Sequence, residues 1–177
     1  MAEVFLRRLS RWQAEQQREA VADLYVEACR GMTGAEYGNR GDFLRRFEHD
    51  VQQTDFDMVV AGAADLVGCL YGYRAERSGA WWESFRGVLP PEVEEQTASG
   101  RVFLLSELMV TPAERGSDVA SRLRMLLLTR HTSDVVVAVI KPDDDRGREV
   151  LQAWDWTKLG EFAPRREGWL RPPSPLP

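Results

Sequence analysis

Apolar positions recur along the chain with two periods, and the switches between them lay out an order of strands and helices. Residues 4–9 alternate weakly and predict a first strand. From 12 to 30 the spacing is helical: Val21, Leu24, Tyr25, Ala28 and Cys29 share one face, and Gly31 supplies a stop. Asp42 is positioned to cap a second helix with Phe43, Leu44, Phe47 and Val51 on its apolar face. Runs at 56–61 and 66–74 predict a hairpin turning at Gly62 to Asp65. Residues 77–101 break the pattern with Gly79, Trp81, Trp82, Phe85, Pro90 and Pro91, and predict an inserted, largely irregular loop with a short helix near 91–96. Val102–Val110 then predicts a buried strand, 117–131 a helix, and Val135–Ile140, a β-branched run, a strand covered on both faces. A helix opening at 143–145 carries Val150, Leu151 and Trp154, strands follow at 159–162 and 168–170, and the Pro-rich residues 172–177 predict a frayed tail. Strand, helix, strand, helix over 102–155 implies a right-handed crossover between neighbouring parallel strands. The class is α/β with a mixed sheet.

Composition narrows what such a fold does. A chain of 177 residues has the length of one domain, taken here as 1–177, and its 44% hydrophobic content rules out disorder. The net charge of −5 argues against a general nucleic-acid or anionic-membrane binder, since both want a basic excess. Two cysteines (Cys29, Cys69) and two histidines (His49, His131) without short ligand spacing point away from a disulfide scaffold and a structural metal site. The first residues lack the basic and apolar regions of a signal peptide, and no apolar run is long enough to span a bilayer. A cytoplasmic protein with reduced thiols is expected.

Candidate chemistry concentrates where the strand ending at Val110 passes through Pro112 and Gly116 into a helix. Such a turn exposes unpaired backbone N–H groups at a positive helix end, which suits a phosphate, although many strand-to-helix loops bind nothing. In detail, Val110-Thr-Pro112-Ala-Glu-Arg115-Gly116-Ser-Asp118-Val-Ala120 resembles the Val-x-Pro-x-x-Arg-Gly-x-Gly-x-Gly/Ala signature of the GNAT superfamily of acyl-CoA-dependent acetyltransferases. The later Lys141-Pro-Asp-Asp144 through Trp154-Asp-Trp156-Thr-Lys-Leu-Gly-Glu161 is similar to the family's "PDN…A…LY…WGW…GE" segment, and the hairpin with its Trp-Trp loop resembles an actinobacterial subgroup.

The resemblance implies a mostly antiparallel, twisted sheet flanked by helices, with central strands splayed to admit a pantetheine arm. Backbone groups of Leu108 and Val110 would pair with that arm. Amides of Arg115, Gly116, Ser117, Asp118, Val119 and Ala120 would cradle the pyrophosphate of acetyl-CoA or another acyl thioester, and Asp144 would join the donor-binding set. No metal is implied. The acceptor would be a small-molecule amine.

Departures from the pattern mark where that implication is strained. Asp118 replaces the loop's second glycine, Asp144 the asparagine, Leu151 the tyrosine of "LY" and Asp155 the glycine of "WGW". An aspartate at ~5 Å from a phosphate charge costs on the order of 3 kcal/mol at an effective dielectric of ~20. Its favourable interaction with the helix dipole is only ~0.3–1 kcal/mol, so repulsion wins unless Asp118 points outward or pairs with Arg122. A donor on an acyl carrier protein would avoid that repulsion. Leu151 cannot protonate a leaving thiolate, so Tyr71 or Tyr73, on the preceding strand, would have to supply an acid unless both are packing residues. Glu107, a carboxylate in an apolar strand, is the candidate base; alternation could equally turn it to solvent or pair it with an arginine. Trp81, Trp82 and Phe85 either line an acceptor pocket or fasten the insertion to the core. Cys69 is expected to be a small buried hydrophobe, and His131 a partner for a helix C-terminus. Residues 115–148 hold seven basic side chains and five aspartates, a local +2 that suits an adenosine phosphate, an acidic carrier protein or a tRNA end. Two functions stand: an N-acyltransferase, or a catalytically silent protein of the same fold that binds a ligand or partner.

Overall fold

The computed structural model describes residues 4–32 and 39–172; the expected frayed tail lies almost entirely outside them. Two compact units divide the chain, Met1–Tyr73 with Glu107–Thr132 and Arg74–Ser106 with Ser133–Pro177.

In the first unit, β1 (Leu6–Leu9) gives way at Ser10 to α1 (Arg11–Gln16). Ser10 accepts from the Gln13 amide at 3.1 Å while Gln13 accepts from the Ser10 amide at 2.8 Å, a reciprocal capping box. The helix expected over 12–30 is two helices: at Gln17 the backbone turns to φ −99°, ψ 11°, and α2 (Arg18–Ala28) begins. Next, α3 (Arg40–Val51) is capped by Asn39 rather than Asp42; the Asn39 side chain accepts from the Asp42 amide at 3.0 Å. Both residue types can cap, and the chain enters the helix three residues earlier than the apolar pattern suggests.

The hairpin is as expected: β2 (Asp57–Ala61) runs antiparallel to β1 and to β3 (Gly68–Arg74), with Met58 opposite Leu9 on one side and Tyr71 on the other. Every residue of β2 is buried, because helices cover both faces. On one face Met58, Val60, Cys69 and Tyr71 join the core made by Val21, Leu24, Phe43, Phe47 and Val51. On the other, α5 (Val119–Leu128) comes so close that a Cβ on Gly68 would stand 3.0 Å from Val119 and 3.1 Å from Leu123. Cys69 is fully buried, and burial pushes its thiol well above the usual range, as befits a small core hydrophobe.

In the second unit the insertion is more ordered than its composition suggests. A 3₁₀ turn at Ala80–Trp82 leads to β4 (Phe85–Arg86) and α4 (Pro91–Ala98). Trp81 donates to Thr97 at 3.2 Å, and Trp81 and Phe85 pack on Phe162 at ring distances of 5.9 and 5.1 Å. These aromatics fasten the insertion to the sheet, the second of the two roles expected of them. The strand β5 (Val102–Val110) starts here, parallel to β6 (Val135–Ile140), with Val102 opposite Val135 and Leu105 opposite Ala138. Only the middle of β6 is buried; Val135 and its last two residues are half-exposed. After α6 (Asp145–Ala153), β7 (Thr157–Phe162) and β8 (Arg166–Leu170) form a hairpin; β8 also pairs antiparallel with β6, and β7 with β4.

By hydrogen-bonded neighbours the order is β1-β2-β3-β5-β6-β8-β7-β4, an eight-stranded, mixed, mostly antiparallel sheet flanked by helices. The two-residue β4 had no signal in the sequence, because so short a strand is made by its pairing with β7 rather than by alternation of its own.

Candidate functional site

Glu107 to Val110, the last four residues of β5, belong to the first unit, and the loop that follows is organised residue by residue. Thr111 donates its amide to Val67 at 2.9 Å, pinning the exit of the strand. A 3₁₀ turn at Pro112–Glu114 takes up the Arg115 amide (to Pro112, 3.3 Å) and the Ser117 amide (to Glu114, 3.1 Å). Ser117 Oγ accepts from the Val119 amide at 3.3 Å. Three of the six amides expected to cradle a pyrophosphate are therefore engaged within the loop. Those of Gly116, Asp118 and Ala120 have no partner among the described residues.

Gly116 adopts φ +84°, and among the described residues nothing lies within 4 Å of where its Cβ would be. The glycine serves the backbone conformation, and the space beside it is open to a ligand. Arg115 reaches away from the loop and donates to the Ala28 carbonyl at 2.6 Å, tying the turn to the last residue of α2. Asp118 occupies the N-cap position of α5 without a side-chain capping bond, and its side chain is exposed. Arg122 is not its partner: that guanidinium donates to the Val4 carbonyl at 3.1 Å. These features fit a bound phosphate group, with Asp118 turned toward solvent where its charge is screened.

Upstream, strand alternation puts Glu107 on the same side as Met109, and Leu108 and Val110 on the opposite side. Met109 belongs to the core under α2 and α3, whereas Glu107, at its margin, keeps a quarter of its side chain exposed. It meets Arg46 of α3, whose Nη2 lies 3.5 Å from Glu107 Oε1. The Arg46 guanidinium lies over the rings of Tyr25 (5.5 Å) and Phe43 (5.8 Å). Burial opposes the charge on Arg46, but Glu107 and the Tyr25 hydroxyl outweigh it and hold the guanidinium above its usual range. Burial pushes the Tyr25 hydroxyl up in turn, against the pull of Arg46.

The two candidate acids differ. Tyr71 is fully buried, edge-on to Phe47 at 5.3 Å, and its hydroxyl has no hydrogen-bond partner among the described residues. Burial first, and Glu107 second, push it well above the usual tyrosine range. It is a packing residue in this arrangement. Tyr73, two residues on, is half-exposed.

In the second unit, Asp144 caps α6, accepting from the Gly147 amide at 2.8 Å, and burial raises its carboxyl. Leu151 is buried. Asp155 takes a left-handed φ of 62°, the conformation for which a glycine is the unstrained residue.

Sequence reasoning missed Arg46, although a cation three residues from Phe43, at the margin of an apolar helix face, is the signal that could have raised it. It also misplaced His131. Rather than serving only a helix end, His131 is buried with Nε2 3.0 Å from Asp57, whose carboxylate also takes Arg8 at 2.6 Å. Among the described residues no group of three or more His, Cys, Asp and Glu could hold a metal ion, and no helix is long and apolar enough to cross a membrane.

No protein-family model and no curated protein matches the sequence. Solved structures do match the fold. The PaiA N-acetyltransferase of Thermoplasma acidophilum, in complex with coenzyme A, superposes with a TM-score of 0.63 at 10% identity, over 96% of this chain and 99% of that one. The GNAT domain of S. lividans PAT gives 0.60 at 14% identity, over 93% and 88%. An aminoglycoside N-acetyltransferase in complex with CoA gives 0.55 at 15%, over 86% and 87%. The chain has the GNAT fold.

Proposed function

We propose that the chain is a single-domain N-acyltransferase of the cytoplasm that moves an acyl group, acetyl in the first instance, from a pantetheine thioester to the amine of a small molecule. The observation that carries this reading is the β5–loop–α5 segment. It combines a carboxylate on the strand, an open glycine at φ +84° and alternate amides without partners in the turn. The fold supports it, since two of the structural neighbours hold CoA. The donor supplies the reactive thioester carbonyl; acetyl-CoA is the first choice and an acyl carrier protein the alternative.

In this reading the amides of Gly116, Asp118 and Ala120 receive the phosphate charge, and Leu108 and Val110 offer backbone groups to the pantetheine arm. As the new C–N bond forms and the C–S bond breaks, the amine proton passes to Glu107, directly or through one water. The departing thiolate takes a proton from Tyr73 or from solvent. Tyr71 is too deeply buried for that part, and Asp144 caps α6. The chain's main contribution is to hold a free amine beside the carbonyl.

A second reading, a silent binder of the same fold, is favoured by one observation: Leu151 is buried and apolar where the family pattern has a tyrosine. Two measurements decide. Acetyl-CoA at a hundred times its Kd should stabilise the fold by about 2.7 kcal/mol, seen as a rise in Tm. Glu107→Gln should lower kcat at neutral pH by on the order of 10²–10⁴ and flatten the acidic limb of the pH profile. A Tm shift without turnover supports the silent binder, and wild-type turnover by Glu107→Gln removes Glu107 from the chemistry.

A further inference from the structure

We propose that Arg46 is the anion-recognising residue of the acceptor subsite, and that the acceptor is an amine with a carboxylate one carbon away, the α-amino acid class. The inference deepens the acyltransferase reading and rests on it for the fate of the amine.

The argument starts from how Arg46 is held. Its guanidinium carbon lies 5.5 Å from the centre of the Tyr25 ring and 5.8 Å from that of Phe43, two rings that are themselves stacked at 4.6 Å, so the group is held beside a fixed aromatic pair. A guanidinium presents five N–H donors in a flat fork matched to a carboxylate. Glu107 occupies one of them at 3.5 Å, much longer than the 2.7–2.9 Å of a good charge-assisted bond. Apart from Glu107 and Tyr25, Arg46 has no hydrogen-bond partner among the described residues. Both side chains can be reached from solvent, since 39% of the Arg46 side chain and 25% of the Glu107 side chain are exposed.

A positive fork and a carboxylate side by side, both reachable, form a fixed dipole. A simple amine approaching Glu107 meets the repulsion of Arg46 whenever it carries a proton. An α-amino acid avoids this: its nitrogen faces Glu107 while its carboxylate takes the free edge of Arg46, so each charge meets its opposite. A lone structural ion pair would need neither the ring platform nor an open edge on the arginine.

The test is calorimetric titration of the full chain with matched pairs, L-phenylalanine against phenethylamine and L-leucine against 3-methylbutylamine. The expected result is that at least one amino acid binds about tenfold or more tightly than its decarboxylated partner. Arg46→Gln should abolish that preference, and Arg46→Lys, which keeps the charge but not the fork, should restore only part of it. Equal or tighter binding of both amines overturns the proposal, as does failure of both amino acids to bind. So does a preference that survives in Arg46→Gln. The comparison within the wild-type protein stands even if a variant fails to fold. Acetyl-CoA binding and turnover, measured in parallel, separate the two readings. An amino-acid preference with no transfer sinks the acyltransferase and spares the subsite; equal transfer to the amines sinks the subsite alone.

Discussion

Asp118 shows how much a single side chain's direction decides. Read as a residue type in a phosphate loop, it opposes the donor by an amount larger than its helix-dipole benefit. In the structure it is exposed and makes no capping bond, so solvent and salt weaken the repulsion without abolishing it. Asp118→Gly is therefore expected to tighten CoA binding by about fivefold at low ionic strength, with the difference vanishing near 1 M salt. Titration of both proteins at the two salt concentrations checks it; equal affinity at low salt would mean the charge never meets the phosphates. Glu107 shows the same dependence on direction. Its presence in an apolar strand and the option of an arginine partner were legible, but which arginine stands beside it was not.

At the scale of elements, local chemistry explains the starts of three helices. The Ser10–Gln13 capping box starts α1, Asn39 starts α3 and Asp144 starts α6, each through a side-chain oxygen that accepts from an amide of the first turn. The exit from α6 is less comfortable, since Asp155 sits at φ 62°. Aspartate tolerates that region better than most residues but still pays steric strain that glycine avoids. Asp155→Gly is expected to stabilise the protein by about 0.5–1 kcal/mol, read as a higher denaturant midpoint at unchanged slope. A lower midpoint would show that the carboxylate makes a contact worth more than the strain. The loop after β5 is an element of the same kind: its turn bonds engage alternate amides, and Arg115 ties it to α2.

At the scale of the whole molecule, the buried Asp57 and His131 and the half-buried Arg8 link β1, β2 and the segment after α5. Burial alone would raise the Asp57 carboxyl, but His131 and Arg8 outweigh it and hold it below its usual value. A depressed folded-state value stabilises the fold at pH above the unfolded carboxyl's value, near ~3.9, and that stabilisation is lost as pH falls through the folded value. Stability measured by denaturant should thus decline steeply below about pH 4. Asp57→Asn should lose about 1–3 kcal/mol at neutral pH, since the half-buried Arg8 is left without its counter-charge, and should show a shallower acid decline. An unchanged acid profile in Asp57→Asn would assign acid unfolding to other carboxylates.

The sequence by itself determined the limits of β5 and β6 and, apart from the break at Gln17 and the short β4, the order of elements, because hydrophobic period and β-branching act between neighbours along the chain. It also determined the strand–turn–helix that carries the loop glycine. The tertiary structure alone decided which cation stands beside Glu107, which acid His131 serves and where β4 finds its partner. Arg46 and Glu107 are 61 residues apart, and Asp57 and His131 are 74. Contacts across such separations leave no period or spacing to read, since they exist only once packing has brought distant segments within a side chain's length of each other.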